Sequence, residues 1–320
     1  MARGFRSTVV VGAGAVGSFF GAMLARAGHR VTLIGRAPHV QAILRDGLQL
    51  HMGGQVLSVP MAATTELAAV RDADLVLFCV KSTDTEAVAR EIGPLLATDA
   101  LVLSLQNGVD NAATIASQIR QPVVPAVVYV ATAMPQPGVV QHFGRGDLVI
   151  GPLNARDAHD ATLQARLQSV AELFAAAQVP VRISPDVMAE LWSKLMVNCA
   201  YNAISALAQQ PYGRMAAQAS IRDVQHAVVR EVVARYLSLD GHRVVEAATG
   251  DAAVAYLDEH RPDLVVLDVM LPGLDGLSLC RAVRNGRLNA DVPILMLTAR
   301  REEADKVVGL RIFEDGDGKM

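Results

Sequence analysis

The sequence predicts an α/β fold that begins with a Rossmann-type doubly wound sheet, and three observations support this prediction. A glycine-rich turn joins the β-branched run Ser7 to Val11 to an uncharged helical stretch. Further apolar runs then alternate with helical segments, which is typical of a parallel sheet. Late in the chain the charge balance changes: residues 1–233 hold 18 basic and 17 acidic side chains, whereas residues 234–320 hold 11 and 15. The last segment is therefore predicted to be a separate unit.

Composition excludes several classes of protein. Hydrophobic residues make up 52% of the 320 residues and charged residues 19%, which indicates a globular rather than a disordered chain. With 29 Lys and Arg against 32 Asp and Glu the net charge is −3, so no basic field attracts nucleic acid. The three cysteines, Cys79, Cys199 and Cys280, stand far apart without metal-binding spacing. We therefore expect no metal site, no disulfide and a cytoplasmic location.

The first elements lie in the uncharged stretch Ser7 to Ala25, which is flanked by Arg6 and Arg26. An export signal or a short membrane span is one interpretation of such a stretch. Four glycines interrupt it, however, and a second β-branched run, Arg30 to Ile34, follows at the distance that a βαβ unit requires. We therefore predict a strand, a turn, a helix and a second strand, and no membrane partner.

The turn after the first strand carries the pattern GxGxxG as Gly12, Gly14 and Gly17. In a nucleotide-binding turn the first glycine permits the tight bend, the second lets the backbone approach a pyrophosphate, and the third lets the helix pack on the strand. The pattern predicts a dinucleotide site; a glycine-rich loop without a ligand is the alternative. At the end of the second strand, Arg36 stands where an NAD site would place a carboxylate. A guanidinium matches a 2′-phosphate, so we expect NADPH, unless Arg36 is only a solvated surface residue.

Polar residues end two further predicted strands. The elements predicted in this region are strands 74–80 and 100–104, helices 83–97 and 110–119, and β-rich segments around 123–131 and 147–151. Lys81 follows the first of these strands, and Asn107 follows the second. Ligands of open α/β sheets bind at the carboxyl ends of the strands, so both residues are expected to face a bound cofactor. A simple Asn-Gly turn is the alternative interpretation of Asn107.

A helix predicted over residues 188–208 carries a narrow polar stripe on an otherwise apolar surface. The stripe residues recur every four positions, as Glu190, Lys194, Asn198 and Asn202. Such a stripe indicates a cleft wall, whereas a ladder in which Glu190 pairs with Lys194 is the alternative. Residues 1–233 contain two lysines, Lys81 and Lys194, against sixteen arginines, which suggests that these positions require an ammonium. Lys194 is the candidate general acid, since an ammonium can protonate the oxygen of a ketone that receives a hydride.

Residues 7–233 resemble the ketopantoate reductase (2-dehydropantoate 2-reductase) family, which reduces a 2-keto acid with NADPH in pantothenate biosynthesis. The most specific stretch is Ala189 to Asn198, which looks like the catalytic helix of that family. The resemblance implies Lys194 as the general acid, with Asn107, Asn198 and Asn202 binding the substrate. It also implies that NADPH is bound by residues of the strand ends and the glycine turn, namely Gly12, Gly14, Gly17, Arg36, Lys81 and Asn107.

The family continues with helices that carry a late motif resembling Thr-Glu-Ile-Asp, and this chain has no counterpart of that motif. Its glutamate completes the active site in the family. We therefore expect a truncated helical substrate domain over residues 178–233, with incomplete positioning of the substrate. The activity of the chain depends on whether the remaining half suffices.

From about residue 235 to 310 the chain resembles a response-regulator receiver domain. The matching motifs are the runs Leu264 to Gly276 and Pro293 to Arg300. The resemblance implies Asp268 as phosphoacceptor, Thr298 as switch hydroxyl and a histidine kinase as partner. The first strand with its Mg²⁺-binding acidic pair and the fifth-strand lysine have no counterpart here, so an inert carboxylate is the alternative for Asp268. We expect an incomplete flavodoxin-like segment, because the missing strand is internal in the order 2-1-3-4-5.

Three domains are therefore predicted: an NADPH-binding Rossmann-type domain over 1–177, the truncated helical substrate domain over 178–233 and the incomplete receiver-like segment over 234–320. They support three hypotheses: a working reductase of 2-dehydropantoate, a signalling fusion phosphorylated on Asp268, and a chimera that binds NADPH without turnover. The expected ligand is a small 2-keto acid, and the sequence leaves a homodimer open.

Overall fold

The computed structural model describes residues 4–208, 214, 219–239, 241–268, 274–286 and 288–297. The chain divides into two compact units, Met1–Asn198 and Cys199–Met320. Each unit has a hydrophobic core of its own. No helix among the described residues combines the length and the apolar character that a membrane span requires.

The first unit is built on a mixed sheet. Its strands are β1 (Ser7–Val11), β2 (Arg30–Ile34), β3 (Leu48–Met52), β4 (Gln55–Val59), β5 (Ala62–Thr64), β6 (Leu75–Phe78), β7 (Leu101–Ser104), β8 (Val123–Gln136), β9 (Val139–Ile150) and β10 (Val181–Ile183). They are ordered β4-β3-β9-β8-β7-β6-β1-β2-β5, with β10 beside β9. From β5 to β8 the neighbours are parallel, whereas β3 and β9 pair antiparallel with β4 and β8. Counted along the chain, the parallel part has the Rossmann order 3-2-1-4-5-6.

Helices cover both faces of this parallel part. The helices are α1 (Ala15–Arg26), α2 (Ala37–Asp46), α3 (Thr85–Ile92), α4 (Asn111–Gln118), α5 (Ala161–Ala176) and α6 (Val187–Ala208), which continues past the boundary of the unit. Alternate residues of β1 belong to opposite cores: Val10 lies in the core with Phe20 of α1 and Phe174 of α5, and Val9 in the core with Ile92 of α3. Burial on both faces explains why the strands are continuous apolar runs, and the predicted Rossmann-type class is confirmed.

Several predicted elements differ in extent from the observed ones. The helix predicted over 83–97 is α-helical over Thr85–Ile92 only, because Gly93 and Pro94 follow and the chain continues as a 3-10 turn. The two β-rich segments predicted after it belong to one long hairpin formed by β8 and β9. Its turn contains Gly138 with φ 80°, a conformation that glycine adopts without strain.

The second unit contains α7 (Ala219–Leu239), α8 (Gly250–Glu259), β11 (Val265–Asp268), α9 (Gly276–Asn285) and β12 (Ile294–Leu297). β11 and β12 pair in parallel. Leu257 of α8, Leu267 of β11 and Leu279 of α9 contribute to one small core. The side chains of Thr249 and Asp275 cap α8 and α9 by accepting backbone N–H bonds, so both helices begin where the sequence supplies a capping oxygen.

Residues 242–248 form no strand. They hold the place of the second strand in a flavodoxin-like sheet, which in the order 2-1-3-4-5 pairs only with the first strand. α7 ends at Leu239, and Gly241 follows with a φ of 88° and an N–H that bonds the Ser238 carbonyl at 3.1 Å. The residues that stand in place of the first strand, 225–233, lie within α7. Within the described part of this unit, residues 242–248 therefore have no first strand with which to pair.

Candidate active site

The glycine turn between β1 and α1 is tightly packed at its first glycine. Gly12 has φ 101°, and a Cβ atom there would lie 2.7 Å from the backbone carbon of Cys79. The N–H groups of Gly12 and Ala13 bond the carbonyl of Ile34 at 3.1 and 2.8 Å. The turn thus joins the ends of β1, β2 and β6, as expected from the positive φ that glycine allows.

The other two glycines of the turn have different surroundings. A Cβ on Gly17 would lie 2.4 Å from the Gly12 carbonyl oxygen and 2.8 Å from Val10 Cγ1, so α1 packs directly on the strand. A Cβ on Gly14 would have no atom within 4 Å. Gly14 is the N-cap of α1, and no side chain caps this helix. Backbone N–H groups at an uncapped N-terminus beside open space fit the pyrophosphate of a dinucleotide.

Arg36 follows β2 and lies next to this turn. A Cβ on Gly35 would be 2.8 Å from the Cβ of Ala13, which shows how closely the end of β2 packs on the turn. Arg36 is the N-cap of α2, and its carbonyl accepts from the His39 N–H at 3.0 Å. Its side chain is exposed and forms no ion pair with the residues that the structure describes. The guanidinium is therefore accessible to an anionic group at this edge of the sheet.

His39 fixes the start of α2 against its neighbours. The ring Nδ1 accepts from the Gly138 N–H at 2.8 Å, and Nε2 lies 3.1 Å from the hydroxyl of Ser18 on α1. Because Nδ1 is an acceptor, Nε2 carries the proton and the ring is neutral. Burial lowers the pKa of His39, which favours the same neutral form.

The loops after β6 and β7 are held together by side-chain hydrogen bonds. Lys81 follows β6 and is exposed. The next residue, Ser82, donates from its hydroxyl to the Asn107 carbonyl at 3.4 Å, and Asn111 Nδ2 donates to the same carbonyl at 2.7 Å. Gln106 Nε2 donates to Thr85 Oγ1 at 2.7 Å. Lys81 and Asn107 are therefore presented at the same edge of the sheet, as predicted from their positions after two strands.

Lys194 of α6 reaches this edge. Its Nζ donates to Asn107 Oδ1 at 2.8 Å and to the Val128 carbonyl on β8, and it lies 5.6 Å from the centroid of the Tyr129 ring. Burial, and secondly the charge of Arg145, lower the pKa of Lys194 to about 8. The structure thus brings together Lys194 and Asn107, two residues that are predicted from separate features of the sequence.

The alternative in which Glu190 pairs with Lys194 is wrong. Glu190 bonds Arg182 of β10 at 2.6 Å instead, so the ammonium is not neutralised along its own helix. Asn198, one turn further along α6, is half-buried. Asn202 is exposed and belongs to the second unit.

Tyr129 and Arg145, which adjoin the lysine, were not predicted from the sequence. Arg145 Cζ lies 4.1 Å from the centroid of the Tyr129 ring, and its guanidinium is bonded to Asp147. The signal that was available is the triplet Gly144-Arg145-Gly146, in which two glycines flank a long charged side chain in the middle of a strand.

In the second unit, Asp268 is the last residue of β11. Thr298 lies outside the described residues. No group of three or more His, Cys, Asp or Glu side chains in the described part of the chain is arranged to hold a metal ion.

A Rossmann-ordered sheet with an open glycine turn at the strand ends defines the class of the first part, a dinucleotide-binding domain. The family described as ketopantoate reductase PanE/ApbA matches residues 8–155. The 2-dehydropantoate 2-reductase of Halobacterium salinarum is 36% identical over 210 residues, covering 65% of this chain and 67% of the relative. A crystal structure of a PanE/ApbA family ketopantoate reductase from Ralstonia eutropha has 47% identity and a TM-score of 0.64, covering 78% of each chain. The chain therefore belongs to the ketopantoate reductase family.

The C-terminal part matches a second family. The response regulator receiver domain matches residues 225–313. The transcriptional regulatory protein AfsQ1 of Streptomyces coelicolor is 48% identical over 87 residues, which are 27% of this chain and 37% of the regulator. The match begins within α7, earlier than the predicted start near residue 235.

Proposed function

We propose that the chain reduces a 2-keto acid, 2-dehydropantoate, to pantoate with NADPH. The observation that carries this proposal is the position of Lys194 Nζ, 2.8 Å from Asn107 Oδ1 at the carboxyl edge of the parallel sheet. Ligands of Rossmann-type sheets bind at that edge. The relatives named 2-dehydropantoate 2-reductase support the choice of substrate.

In this proposal each sheet end contributes one part of the cofactor site. Gly12, Gly14 and Gly17 shape the turn that receives the pyrophosphate. Arg36 pairs with the 2′-phosphate, and Lys81 adds a second positive charge at the neighbouring strand end. Asn107 lies on the nicotinamide side. When bound, the cofactor supplies the hydride for the carbonyl carbon.

Lys194 then donates the proton to the substrate. As hydride reaches the carbonyl carbon, negative charge develops on the oxygen, and an ammonium beside it stabilises that charge and donates the proton. With a pKa of about 8 the group is protonated at neutral pH yet gives up its proton more easily than an exposed lysine. Asn107 keeps the ammonium at the edge of the sheet. Asn198 and Asn202 are proposed to bind the substrate.

We further propose the domain boundaries 1–177, 178–233 and 234–320, with the substrate domain truncated where the receiver-like sequence begins. The alternative is a chimera that binds NADPH but does not turn over. One assay distinguishes the reductase from the chimera. NADPH oxidation by the full chain is followed at 340 nm with 2-dehydropantoate, beside saturable NADPH binding measured by fluorescence.

Turnover that Lys194→Ala lowers by about 10²–10³-fold, with NADPH binding unchanged, supports the reductase. Binding of NADPH without turnover in the wild-type chain contradicts the reductase and leaves the chimera. Arg90→Ala serves as a control, because Arg90 forms an exposed ion pair with Glu86 on α3.

A signalling fusion is the second candidate function, and the receiver match over residues 225–313 favours it. Asp268 ends β11, which is the place of a phosphoacceptor in this class of domain. Phosphate incorporation from acetyl phosphate with Mg²⁺, lost in Asp268→Asn, supports this function and a histidine kinase as partner. Equal incorporation in the wild type and the variant contradicts it.

A further inference from the structure

Arg145 has an unusual backbone conformation in the middle of β9. Its φ is 56°, which side-chain-bearing residues rarely adopt, and Gly144 and Gly146 on either side have φ values of 147° and 145°. The register between β8 and β9 shifts twice at this point. Bulges of this kind redirect a side chain, and they occur often beside functional sites.

The surrounding side chains hold this conformation in place. His142 Nε2 donates to the Arg145 carbonyl, and the His142 ring stacks on Phe19 of α1 with the centroids 4.6 Å apart. A Cβ on Gly146 would lie 3.3 Å from the same Phe19 ring. The bulge is therefore packed against the core side of α1, and the orientation of Arg145 is set by the fold.

The Arg145 side chain is aimed at the surroundings of Lys194. Its Cζ lies 4.1 Å from the Tyr129 ring centroid, and Lys194 Nζ lies 5.6 Å from the same centroid. Asp147 accepts from Arg145 Nε and Nη2 at 3.0 and 2.6 Å, which fixes the plane of the guanidinium. Arg145 and Lys194 carry two positive charges near the Tyr129 ring, and Asp147 carries one negative charge. The net charge around this ring is therefore positive. Because 42% of the Arg145 side chain is exposed, an anion can reach it.

The chemistry of a 2-keto acid matches this arrangement. Its carboxylate is bonded directly to the carbonyl carbon that is reduced, so the group that binds the carboxylate must lie close to the proton donor. Arg145 is close enough for its charge to lower the pKa of Lys194. A guanidinium also offers a planar pair of donors that suits a carboxylate better than a lysine does.

We propose that Arg145 binds the carboxylate of the substrate and thereby selects 2-keto acids over neutral ketones. This inference rests on the proposed reductase function, and its test needs no turnover. The full chain is saturated with NADP⁺, which carries no hydride to transfer. Calorimetry then measures the binding of 2-dehydropantoate and of its primary amide to the wild type, Arg145→Gln, Arg145→Lys and Arg45→Gln.

We expect Arg145→Gln to weaken binding of the acid by about 10- to 100-fold and to leave binding of the amide unchanged. Arg145→Lys should lie in between, because it keeps the charge but loses the planar fork. Arg45→Gln is the matched control: Arg45 also bonds a neighbouring aspartate, Asp46, through Nε and Nη2, but on the exposed surface. It should bind both compounds as the wild type does.

Equal binding of the acid by the wild type and Arg145→Gln, an equal loss for acid and amide, or no acid binding by the wild type overturns the inference. The proposed function is judged separately, from NADPH oxidation. Arg145-dependent binding without NADPH oxidation contradicts the reductase and supports the anion site. Oxidation that Arg145→Gln leaves unchanged supports the reductase and contradicts the role of Arg145.

Discussion

Lys194 Nζ donates to Asn107 Oδ1 at 2.8 Å, across 87 positions of sequence. The bond joins α6 to the loop after β7, where Asn111 and Ser82 hold the Asn107 backbone by bonding its carbonyl. The ammonium is thus held at the sheet by a loop whose backbone is itself hydrogen-bonded. Of its two acceptors, Asn107 Oδ1 and the Val128 carbonyl, the first belongs to a side chain that can be changed without altering charge.

Replacing Asn107 with alanine should lower the rate of NADPH oxidation with 2-dehydropantoate by about 10- to 100-fold, because the ammonium loses a positioning partner. Steady-state kinetics of the full chain measure this change. Asn154→Ala is the control, since Asn154 bonds Asp157 on the exposed surface. Wild-type rates in Asn107→Ala contradict the proposed positioning.

The reduction rate should fall as the pH rises through about 8. Burial and the charge of Arg145 lower the pKa of Lys194 to that value, and only the protonated ammonium can donate to the keto oxygen. Below about pH 8 kcat/KM should be constant with respect to this group, and above it kcat/KM should fall about tenfold per pH unit. Asn107→Asp should move this limb to higher pH, because a carboxylate beside the ammonium favours its charged form. If kcat/KM of Asn107→Asp falls at the same pH as that of the wild type, Lys194 is not the titrating acid.

Alanine substitutions at two glycines of the turn should differ in their effects on NADPH affinity and on thermal stability. Gly17→Ala places a Cβ 2.4 Å from the Gly12 carbonyl oxygen, so both NADPH affinity and thermal stability should fall. Gly14→Ala meets no atom within 4 Å and should unfold at the wild-type temperature while binding NADPH more weakly. Calorimetric unfolding and fluorescence titration measure the two effects. Wild-type NADPH affinity in Gly14→Ala contradicts the pyrophosphate site.

Arg36→Ala should reduce the preference for NADPH over NADH by about 10- to 100-fold, since a charge-assisted pair with the 2′-phosphate is lost. Affinity for NADH should change little. Titrations of both dinucleotides with the wild type and the variant measure this preference. If both affinities change equally, Arg36 does not read the 2′-phosphate.

Much of the fold of the first unit could be predicted from local sequence patterns. The β-branched run of β1, the glycine turn and the run of β2 lie next to one another in sequence, and their observed bounds are those of the apolar runs. The segment that contains Lys194 likewise predicted a helix from residue 188, and α6 begins at Val187. These features depend on backbone periodicity and on the special φ values of glycine, which neighbouring residues determine.

The contacts between side chains that are distant in sequence could not be predicted in the same way. Whether Lys194 pairs with Glu190 or with Asn107 depends on where α6 lies against the sheet, and both pairings suit the spacing on the helix. The role of Arg145 also emerges only from the β8–β9 hairpin, whose register shifts turn that side chain toward Tyr129. By itself the sequence determined the nucleotide-binding class, the two families and the candidate acid. Tertiary structure decided which charges meet, because contacts between distant segments are set by packing and not by local propensity.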